Sequence, residues 1–245
     1  MIFEKWYGDV FSGGRLQIYY RANLTLGPVV IGYRGCLSNE GRTLSRISLG
    51  GIPLPCIEGG ALTWPCDDGT SMVWNNASTR PIELWSDRSK MVTWNPIVLN
   101  GNLMHSGARG YAERLTMNNA PWNLGLMLLK WGRFCSEHNN LTWIEWHGSY
   151  PLRLALLNAQ PVTLNEATRQ EVRTSSATLR FHAPRALISE TIGSNVLKGW
   201  SLPIGRSARA FLRGYETKWL AEAELEIGGM SPDAGHAVFE EVSWE

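Results

Sequence analysis

Apolar and polar side chains alternate with a period of two along most of the chain. Between residues 16 and 24 the even positions hold Leu, Ile, Tyr, Ala and Leu, whereas the odd positions hold Gln, Tyr, Arg and Asn. This alternation is typical of a β-strand with one buried and one solvated face. The same pattern, bounded by turn-forming residues, predicts strands over residues 111–117, 141–147, 177–181, 219–227 and 236–244.

Helical periodicity is weak. The best candidate segment, residues 124–134, contains Gly125 and Gly132, and residues 219–227 carry three glutamates at strand spacing. A short helix is left open for either segment. The chain as a whole is predicted to be all-β with few short helices.

A loose internal repeat divides the chain near its middle. The sequence Gly-Tyr-Ala at residues 110–112 has a counterpart in Gly-His-Ala at residues 235–237, with glutamate following in both places. Each half also opens with an aromatic strand segment. The sequence therefore predicts two similar antiparallel β units, residues 1–119 and 120–245, each a sandwich or a partly closed barrel.

The balance of charge argues against a strongly acidic or basic partner. The 245 residues include 23 Lys and Arg against 22 Asp and Glu, with a net charge of +1. We therefore expect no binding to nucleic acid and no attraction to anionic membranes. No stretch stays apolar for about 18 residues and the N-terminus lacks the pattern of a secretion signal, so we expect a cytoplasmic protein with no stable membrane insertion.

Tryptophan is unusually frequent, with 12 residues. Its side chains form large apolar walls with a hydrogen-bonding rim, so we expect an aromatic-lined interior. The four cysteines and five histidines show no metal-ligand spacing, and dinucleotide, P-loop, zinc-protease and nucleophile-elbow motifs are absent. We predict no metal site and four free thiols.

Four aromatic-rich segments are similar to a known family. They read EKWYGDV at residues 4–10, GYAERL at 110–115, PW at 121–122 with LKWGRF at 129–134, and WIEW at 143–146. Together they resemble the carotenoid 1,2-hydratase (hydroxyneurosporene synthase)-like group of double-lipocalin-like β proteins, a set that includes tocopherol cyclase and lipocalin-like Diels–Alderases. The resemblance implies two lipocalin-like barrels or sandwiches packed together.

The resemblance also implies chemistry on a hydrophobic, unsaturated substrate without an organic cofactor. The expected reaction is hydration, proton-initiated cyclisation or isomerisation, or a pericyclic ring closure in which the cavity orients the reacting ends. A carboxylic acid kept neutral by apolar surroundings can protonate an alkene, and Trp rings stabilise the cation that forms. The expected substrate is a polyene, isoprenoid or polyketide-like intermediate; the alternative is a non-catalytic carrier of a hydrophobic metabolite.

Glu113 is the first candidate acid. Period two places it on one strand face with Tyr111, Leu115 and Met117, so that a carboxylate lies on the more apolar side of its strand. Such a placement is unfavourable unless the carboxylate is partnered or functional. Three roles are open: a catalytic proton donor, a structural ion pair with Arg133, or an exposed edge position.

Glu145 and His147 are the second candidates. Glu145 lies at strand spacing between Trp143 and His147, and a histidine can relay protons near neutral pH. The pair is therefore predicted to act as an acid and its proton partner. The alternative turns Ile144 and Trp146 inward, which leaves Glu145 on a solvated face and gives His147 a structural role.

The remaining candidates line the predicted substrate cavity, with core packing as the alternative for each aromatic residue. Arg133 is a candidate for polarising a substrate carbonyl or carboxylate. Asp9 comes shortly before Gly13 and Gly14 and is interpreted as a turn residue, with a position at the cavity mouth as the alternative. The predicted substrate-binding residues are Trp6, Tyr7, Tyr19, Tyr111, Trp122, Trp131, Arg133, Trp143 and Trp146.

Overall fold

The computed structural model describes residues 1–75, 77–87, 90–99, 109–197 and 205–244. β-Strands account for most of these residues, and the helices among them are short. The prediction of an all-β fold is therefore confirmed. The chain divides into two compact units, one formed mainly by Met1–Asn123 and the other by Leu124–Ser194 with the C-terminal strands.

The first unit is built from a large and a small antiparallel sheet. Its strands are β1 (Ile2–Ser12), β2 (Arg15–Leu26), β3 (Val29–Ser38), β4 (Gly41–Leu49), β5 (Cys56–Glu58), β6 (Ala61–Pro65), β7 (Ser71–Trp74), β8 (Ala77–Thr79), β9 (Ile82–Asp87), β10 (Lys90–Leu99) and β11 (Arg109–Met117). The large sheet has the order β4–β3–β2–β1–β11–β10–β8, with β9 also paired to β10, and the small sheet has the order β5–β6–β7.

A tight turn joins β1 to β2. Gly13 and Gly14 have φ angles of 56° and 76°, in the left-handed region. A two-residue turn with both φ angles positive matches the right-handed twist of the strands that it connects. β1 then pairs with β2 on one side and with β11 on the other, so it lies inside the large sheet.

One face of the large sheet is covered by the small sheet. Trp6 packs there with Trp64 and Trp74 in a hydrophobic core. Glycine allows the sheets to approach closely, because a Cβ atom at Gly8 would lie 2.7 Å from the Trp64 ring and one at Gly110 would lie 3.0 Å from Trp74. The opposite face carries the odd-numbered residues of β1 and β11.

The second unit is a curled sheet. The remaining elements of the chain are a 3₁₀ helix (Pro121–Asn123), β12 (Leu126–Ser136), β13 (Asn140–Gly148), β14 (Leu152–Leu157), β15 (Gln160–Val162), β16 (Leu164–Ala167), β17 (Glu171–Thr174), β18 (Ala177–Thr191), α1 (Ile192–Val196), α2 (Arg206–Phe211), β19 (Tyr215–Ile227) and β20 (Asp233–Ser243). The strand order is β15–β14–β13–β12–β20–β19–β18–β17–β16. Its two end strands are consecutive in the chain, so the sheet curls into a nearly closed barrel.

Aromatic side chains fill the inside of this barrel. Phe181 stacks on Phe239 with ring centroids 4.3 Å apart, and Phe239 stacks on Trp219 at 5.2 Å. The ring centroids of Trp143 and Phe181 are 6.0 Å apart. Trp143 is paired with Gly132 of the neighbouring strand. Since a Cβ atom at Gly132 would come within 2.6 Å of ring atoms of Trp143, this core requires glycine at that position.

The two segments for which a short helix was left open are strands, and the strand predicted over residues 219–227 is confirmed. The candidate helical segments, residues 124–134 and 219–227, fall largely or wholly in β12 and β19. Their side chains alternate between the barrel interior and its outer face, which suits a strand. The helices that form, α1 and α2, lie in the connection from β18 to β19, for which the sequence pattern predicts no element. Among the described helices, none has the length and apolar character needed to cross a membrane.

The two sheets share one arrangement around their first strands. β1 lies between β2 and β11, and β12 lies between β13 and β20. In each unit the first strand therefore pairs with the second and with the last. The similar segments at residues 110–112 and 235–237 lie in β11 and β20, so they occupy equivalent positions in the two sheets.

Candidate functional site

Two tyrosine–carboxylate pairs lie side by side on β1 and β11. The antiparallel register sets Tyr7 opposite Glu113, and two residues further along it sets Asp9 opposite Tyr111. The Tyr7 hydroxyl donates a hydrogen bond to Asp9 Oδ2 at 2.8 Å. The Tyr111 hydroxyl donates one to Glu113 Oε2 at 2.9 Å. Residues paired in this way project to the same side of a sheet, so all four side chains share one face.

This face is buried. Asp9 is 0% exposed, Tyr7 is 2% exposed, and Glu113 and Tyr111 are each 9% exposed. The structure thus brings together three predicted site residues and adds Asp9. The interpretation of Asp9 as a turn residue is wrong, because β1 continues past it to Ser12.

Trp94 is a second hydrogen-bond donor to Glu113. It lies on β10, which pairs with β11, and its indole Nε1 donates a hydrogen bond to Glu113 Oε2 at 2.7 Å. Oε2 therefore accepts hydrogen bonds from both Trp94 and Tyr111. Because both donors direct a hydrogen at Oε2, a proton on the acid form of Glu113 resides on Oε1. Trp94 is a hydrogen-bond donor to the candidate acid that the sequence analysis missed.

Further aromatic rings extend this face. Tyr20 of β2 is paired with Tyr7, and their rings meet edge to face with centroids 5.5 Å apart. The rings of Tyr7 and Tyr111 are 6.2 Å apart. The face therefore combines two carboxyl groups with electron-rich rings, which is the combination that stabilises a carbocation formed by proton transfer.

Two predicted wall residues of the first unit lie on the opposite face of the large sheet. Trp6 belongs to the hydrophobic core with the small sheet, and its indole donates a hydrogen bond to Glu4 Oε1 at 2.8 Å. Tyr19 packs against Trp64 with ring centroids 6.1 Å apart. Neither side chain shares a face with Glu113. Trp122 is half-buried in the 3₁₀ helix.

The Tyr19 phenol should lose its proton at a higher pH than an ordinary tyrosine does. Burial, and to a smaller extent the nearby Cys36 and Cys66, raise the pKa of its phenol from 10.0 to about 12. Folding therefore favours the neutral phenol, and this contribution to stability is present below pH 10 and lost as the pH rises towards 12.

We expect the phenolate absorbance of the folded protein to show a step near pH 12 that Tyr19→Phe removes. Tyr215→Phe, at an exposed position, should leave that step in place; an unchanged step in Tyr19→Phe would refute the assignment.

In the second unit the predicted wall residues are divided between the two faces of the barrel sheet. Trp143 is part of the filled interior. Trp131, Arg133 and Trp146 project from the outer face and are buried, at 5%, 3% and 6% exposed. The predicted pair between Glu113 and Arg133 stays a prediction, as does the role of Arg133 towards a substrate.

The outer face also holds a buried lysine. Lys218 is 0% exposed, forms an ion pair with Glu240 of the paired strand, and lies 3.6 Å from Glu216. Its ammonium group lies 5.5 Å from the centroid of the Trp131 ring. Lys218 and Trp219 are adjacent in this strand, so their side chains project to opposite faces of the sheet. The alternation predicts that Trp219 is on the buried face and Lys218 on the solvated face, and the sequence therefore gives no signal that Lys218 is buried.

Glu145 lies inside the barrel in a cluster of cations. It is 2% exposed, so the alternative of a solvated face is wrong. Arg153 donates to Oε1 from Nε at 2.8 Å, His147 Nε2 lies 3.1 Å from the same oxygen, and Lys130 is 3.5 Å from Oε2. The structure therefore brings Glu145 and His147 together, as predicted, but it also compensates the charge of Glu145 with two permanent cations.

The same two cations join the ends of the curled sheet. Lys130 donates to the carbonyl of Ala167 at 2.7 Å, and Arg153 donates to the carbonyl of Asn165 at 3.4 Å. Both carbonyls belong to β16, the last strand of the sheet order. Glu145 thus holds the side chains that supply hydrogen bonds to an edge strand, which indicates a structural role. Its predicted role as an acid, with His147 as the proton partner, stays a prediction.

Replacing Glu145 by Gln should destabilise the second unit by about 1–3 kcal/mol, because an amide leaves Lys130 and Arg153 without their counter-charge. Urea unfolding measures this loss. Glu226→Gln is the control, since its exposed ion pair with Arg180 should contribute less than about 1 kcal/mol. Equal stability of the two variants would be inconsistent with the structural role.

The part of the chain that the structure describes contains neither a metal-ligand cluster nor a disulfide. No group of three or more His, Cys, Asp and Glu side chains in that part of the chain is placed to hold a metal ion. Cys36, Cys56, Cys66 and Cys135 are all free thiols.

Comparison with known proteins identifies the fold. No protein-family model and no curated protein sequence matches the chain. The crystal structure of CghA with Sch210972 is similar over 100% of this chain and 89% of that chain, with a TM-score of 0.56 and 10% identity. Kievitone hydratase from Nectria haematococca is similar over 98% of this chain and 88% of that chain, with a TM-score of 0.56 and 9% identity. The chain shares the fold of these proteins, and the all-β, lipocalin-like fold expected from the sequence resemblance is confirmed.

Proposed function

We propose that the protein is a cofactor-free cyclase, hydratase or isomerase that acts on a hydrophobic, unsaturated substrate such as a polyene, isoprenoid or polyketide-like intermediate. The observation that carries the proposal is the buried Glu113 carboxyl, held through one oxygen by Tyr111 and Trp94 on an aromatic sheet face. The shared fold supports it as well, because one protein with this fold is a kievitone hydratase.

Glu113 is the proton donor in this proposal. Its acid form gives the proton on Oε1 to one carbon of a double bond, and a carboxylate and a carbocation are formed together. The hydrogen bonds from Tyr111 and Trp94 strengthen as negative charge develops on the carboxylate. They therefore stabilise the transition state more than the ground state, which is the requirement for catalysis.

The aromatic rings act on the cation. Tyr7, Tyr20 and Tyr111 present electron-rich surfaces around the carboxyl group, and a desolvated cation over such a ring is stabilised by about 2 kcal/mol. Capture of the cation by water gives hydration, capture by a second double bond gives cyclisation, and loss of a different proton gives isomerisation. A pericyclic reaction on the same face would use orientation of the reacting ends and no proton from Glu113.

Turnover of unsaturated probes tests the proposal. The protein is incubated with lycopene, geranylgeraniol and kievitone, and each mixture is analysed by liquid chromatography with mass spectrometry. A product of changed mass or changed skeleton supports an enzyme. Binding of a probe, seen as quenching of Trp fluorescence, together with its recovery unchanged would identify a carrier and contradict the proposal.

A further inference from the structure

Asp9 is a second buried carboxyl on the face that carries Glu113. It is 0% exposed and accepts a hydrogen bond from Tyr7, as Glu113 does from Tyr111. Each tyrosine precedes its acid by two residues and the strands are antiparallel, so the two pairs are arranged head to tail. The acids are therefore diagonal neighbours across the strand pair, with Cα atoms about 7–8 Å apart.

Residues of β2 and β10 lie beside this pair of acids on the same sheet. Asp9 is opposite Ile18 on β2, a fully buried apolar residue. Tyr20 of β2 and Trp94 of β10 continue the face, and the Lys5 ammonium lies 5.7 Å from the centroid of the Tyr20 ring. A substrate double bond lying over this face meets both carboxyl groups from the same side.

We propose that the reaction is the addition of water and that Asp9 is its general base; this rests on the function proposed above. Glu113 transfers the proton on Oε1 to one alkene carbon, which leaves a carboxylate and a cation at the adjacent carbon. The oxygen of a water molecule bonds to that cation, and the water gives one proton to the Asp9 carboxylate. The alkene has then gained one hydrogen and one hydroxyl group, and no oxidant or reductant is consumed.

A proton transfer from Asp9 to Glu113 restores the starting state. Tyr7 and Tyr111 occupy the other diagonal of this four-residue group, with ring centroids 6.2 Å apart, and each hydroxyl is hydrogen-bonded to one carboxyl group. These hydroxyls provide the route for that proton. Because both acids act from one face of one sheet, the hydrogen and the hydroxyl group add to the same side of the double bond, and the product is that of syn addition.

The test follows hydration and proton exchange separately in deuterated water. Wild type, Asp9→Asn and Glu113→Gln are incubated with kievitone, geranylgeraniol and lycopene. Glu226→Gln serves as a control because its ion pair with Arg180 lies at the surface. Mass spectrometry and NMR measure hydrate formation and deuterium on carbon in the recovered alkene. The relative configuration of the new bonds is measured for addition to an internal double bond of geranylgeraniol, where both carbons become stereogenic in deuterated water.

We expect Asp9→Asn to form hydrate at least about 100-fold more slowly than wild type. The recovered alkene should still gain deuterium, since Glu113 still protonates it and the cation can return a proton to Glu113. Glu113→Gln should lose both hydration and exchange. The ratio of exchange to hydration thus rises only if Asp9 acts on water, because a purely structural defect lowers both rates together.

Three results would overturn the role of Asp9 while leaving that of Glu113 intact: wild-type hydration by Asp9→Asn, a parallel loss of both rates in the folded variant, or anti addition. If Asp9→Asn does not fold, Tyr7→Phe replaces it, because it keeps the ring and removes the hydroxyl that donates to Asp9; the same ratio should then rise about 10-fold, and an unchanged ratio counts against Asp9. Absence of any product of changed mass or skeleton, and of exchange, with every probe in wild type would contradict the proposed function itself.

Discussion

Replacing Glu113 by Gln is expected to lower kcat by about 10²–10⁴-fold on any probe that the wild type converts. The amide oxygen of Gln can still accept the hydrogen bonds from Trp94 and Tyr111 that Glu113 Oε2 accepts. The variant therefore keeps the shape and packing of the site, but it has no acidic proton to transfer. Steady-state rates measure the effect, and thermal unfolding shows that the fold is retained.

Two further variants show whether the loss comes from the missing acid. Tyr111→Phe keeps the acid and removes one of the two donors, so kcat should fall by only about 10-fold. Glu226→Gln, at the surface of the second unit, should turn over as wild type does. Full activity in Glu113→Gln would remove this residue from the mechanism.

Gly132→Ala should have the largest effect on stability, a loss of about 3 kcal/mol or more in the second unit. A Cβ atom at this position would meet the ring of Trp143, which is itself packed against Phe181. The ring has no room to yield, because Phe181 is stacked on Phe239 in the filled barrel. Urea unfolding followed by Trp fluorescence measures the loss.

Gly51→Ala is the matched control for this substitution. A Cβ atom at Gly51 would come no closer than 3.6 Å to its neighbours, which is ordinary van der Waals contact. Its stability should stay within about 0.5 kcal/mol of wild type. If Gly132→Ala were equally stable, the barrel would not be filled as described.

The strand content could be predicted from the sequence because alternation is a local property. Residues 16–24, 111–117 and 141–147 lie within β2, β11 and β13 as the period of two indicates. The two helices could not be predicted in the same way. They have five and six residues, and such short segments do not show a repeat of 3.6 residues.

The site could be predicted only where it depends on neighbours within one strand. Glu113 and Tyr111 are two residues apart, so their shared face follows from the strand period alone. The approach of Asp9 and Trp94 depends instead on which strands pair and in which register, and that arrangement is set by contacts between distant segments. Trp94 also lies in a part of the chain that shows no resemblance to the family.

The burial of charged residues does not follow from the pattern of any one strand. Lys218 and Glu145 both alternate with apolar residues, as side chains on a solvated face do. Each is nevertheless buried beside a residue of opposite charge on a paired strand, Glu240 for Lys218 and Arg153 for Glu145. Such pairs depend on strand register, which the pattern of a single strand does not contain.

Deuterium incorporation by the wild type tests the central claim most directly. In deuterated water, proton donation by Glu113 places one deuterium on carbon in each molecule of product, and Glu113→Gln forms no such product. The deuterium is counted by mass spectrometry after exchangeable positions have been washed back to hydrogen. If the wild type forms a cyclised product that contains no carbon-bound deuterium, the result would contradict acid catalysis and assign the reaction to pericyclic ring closure.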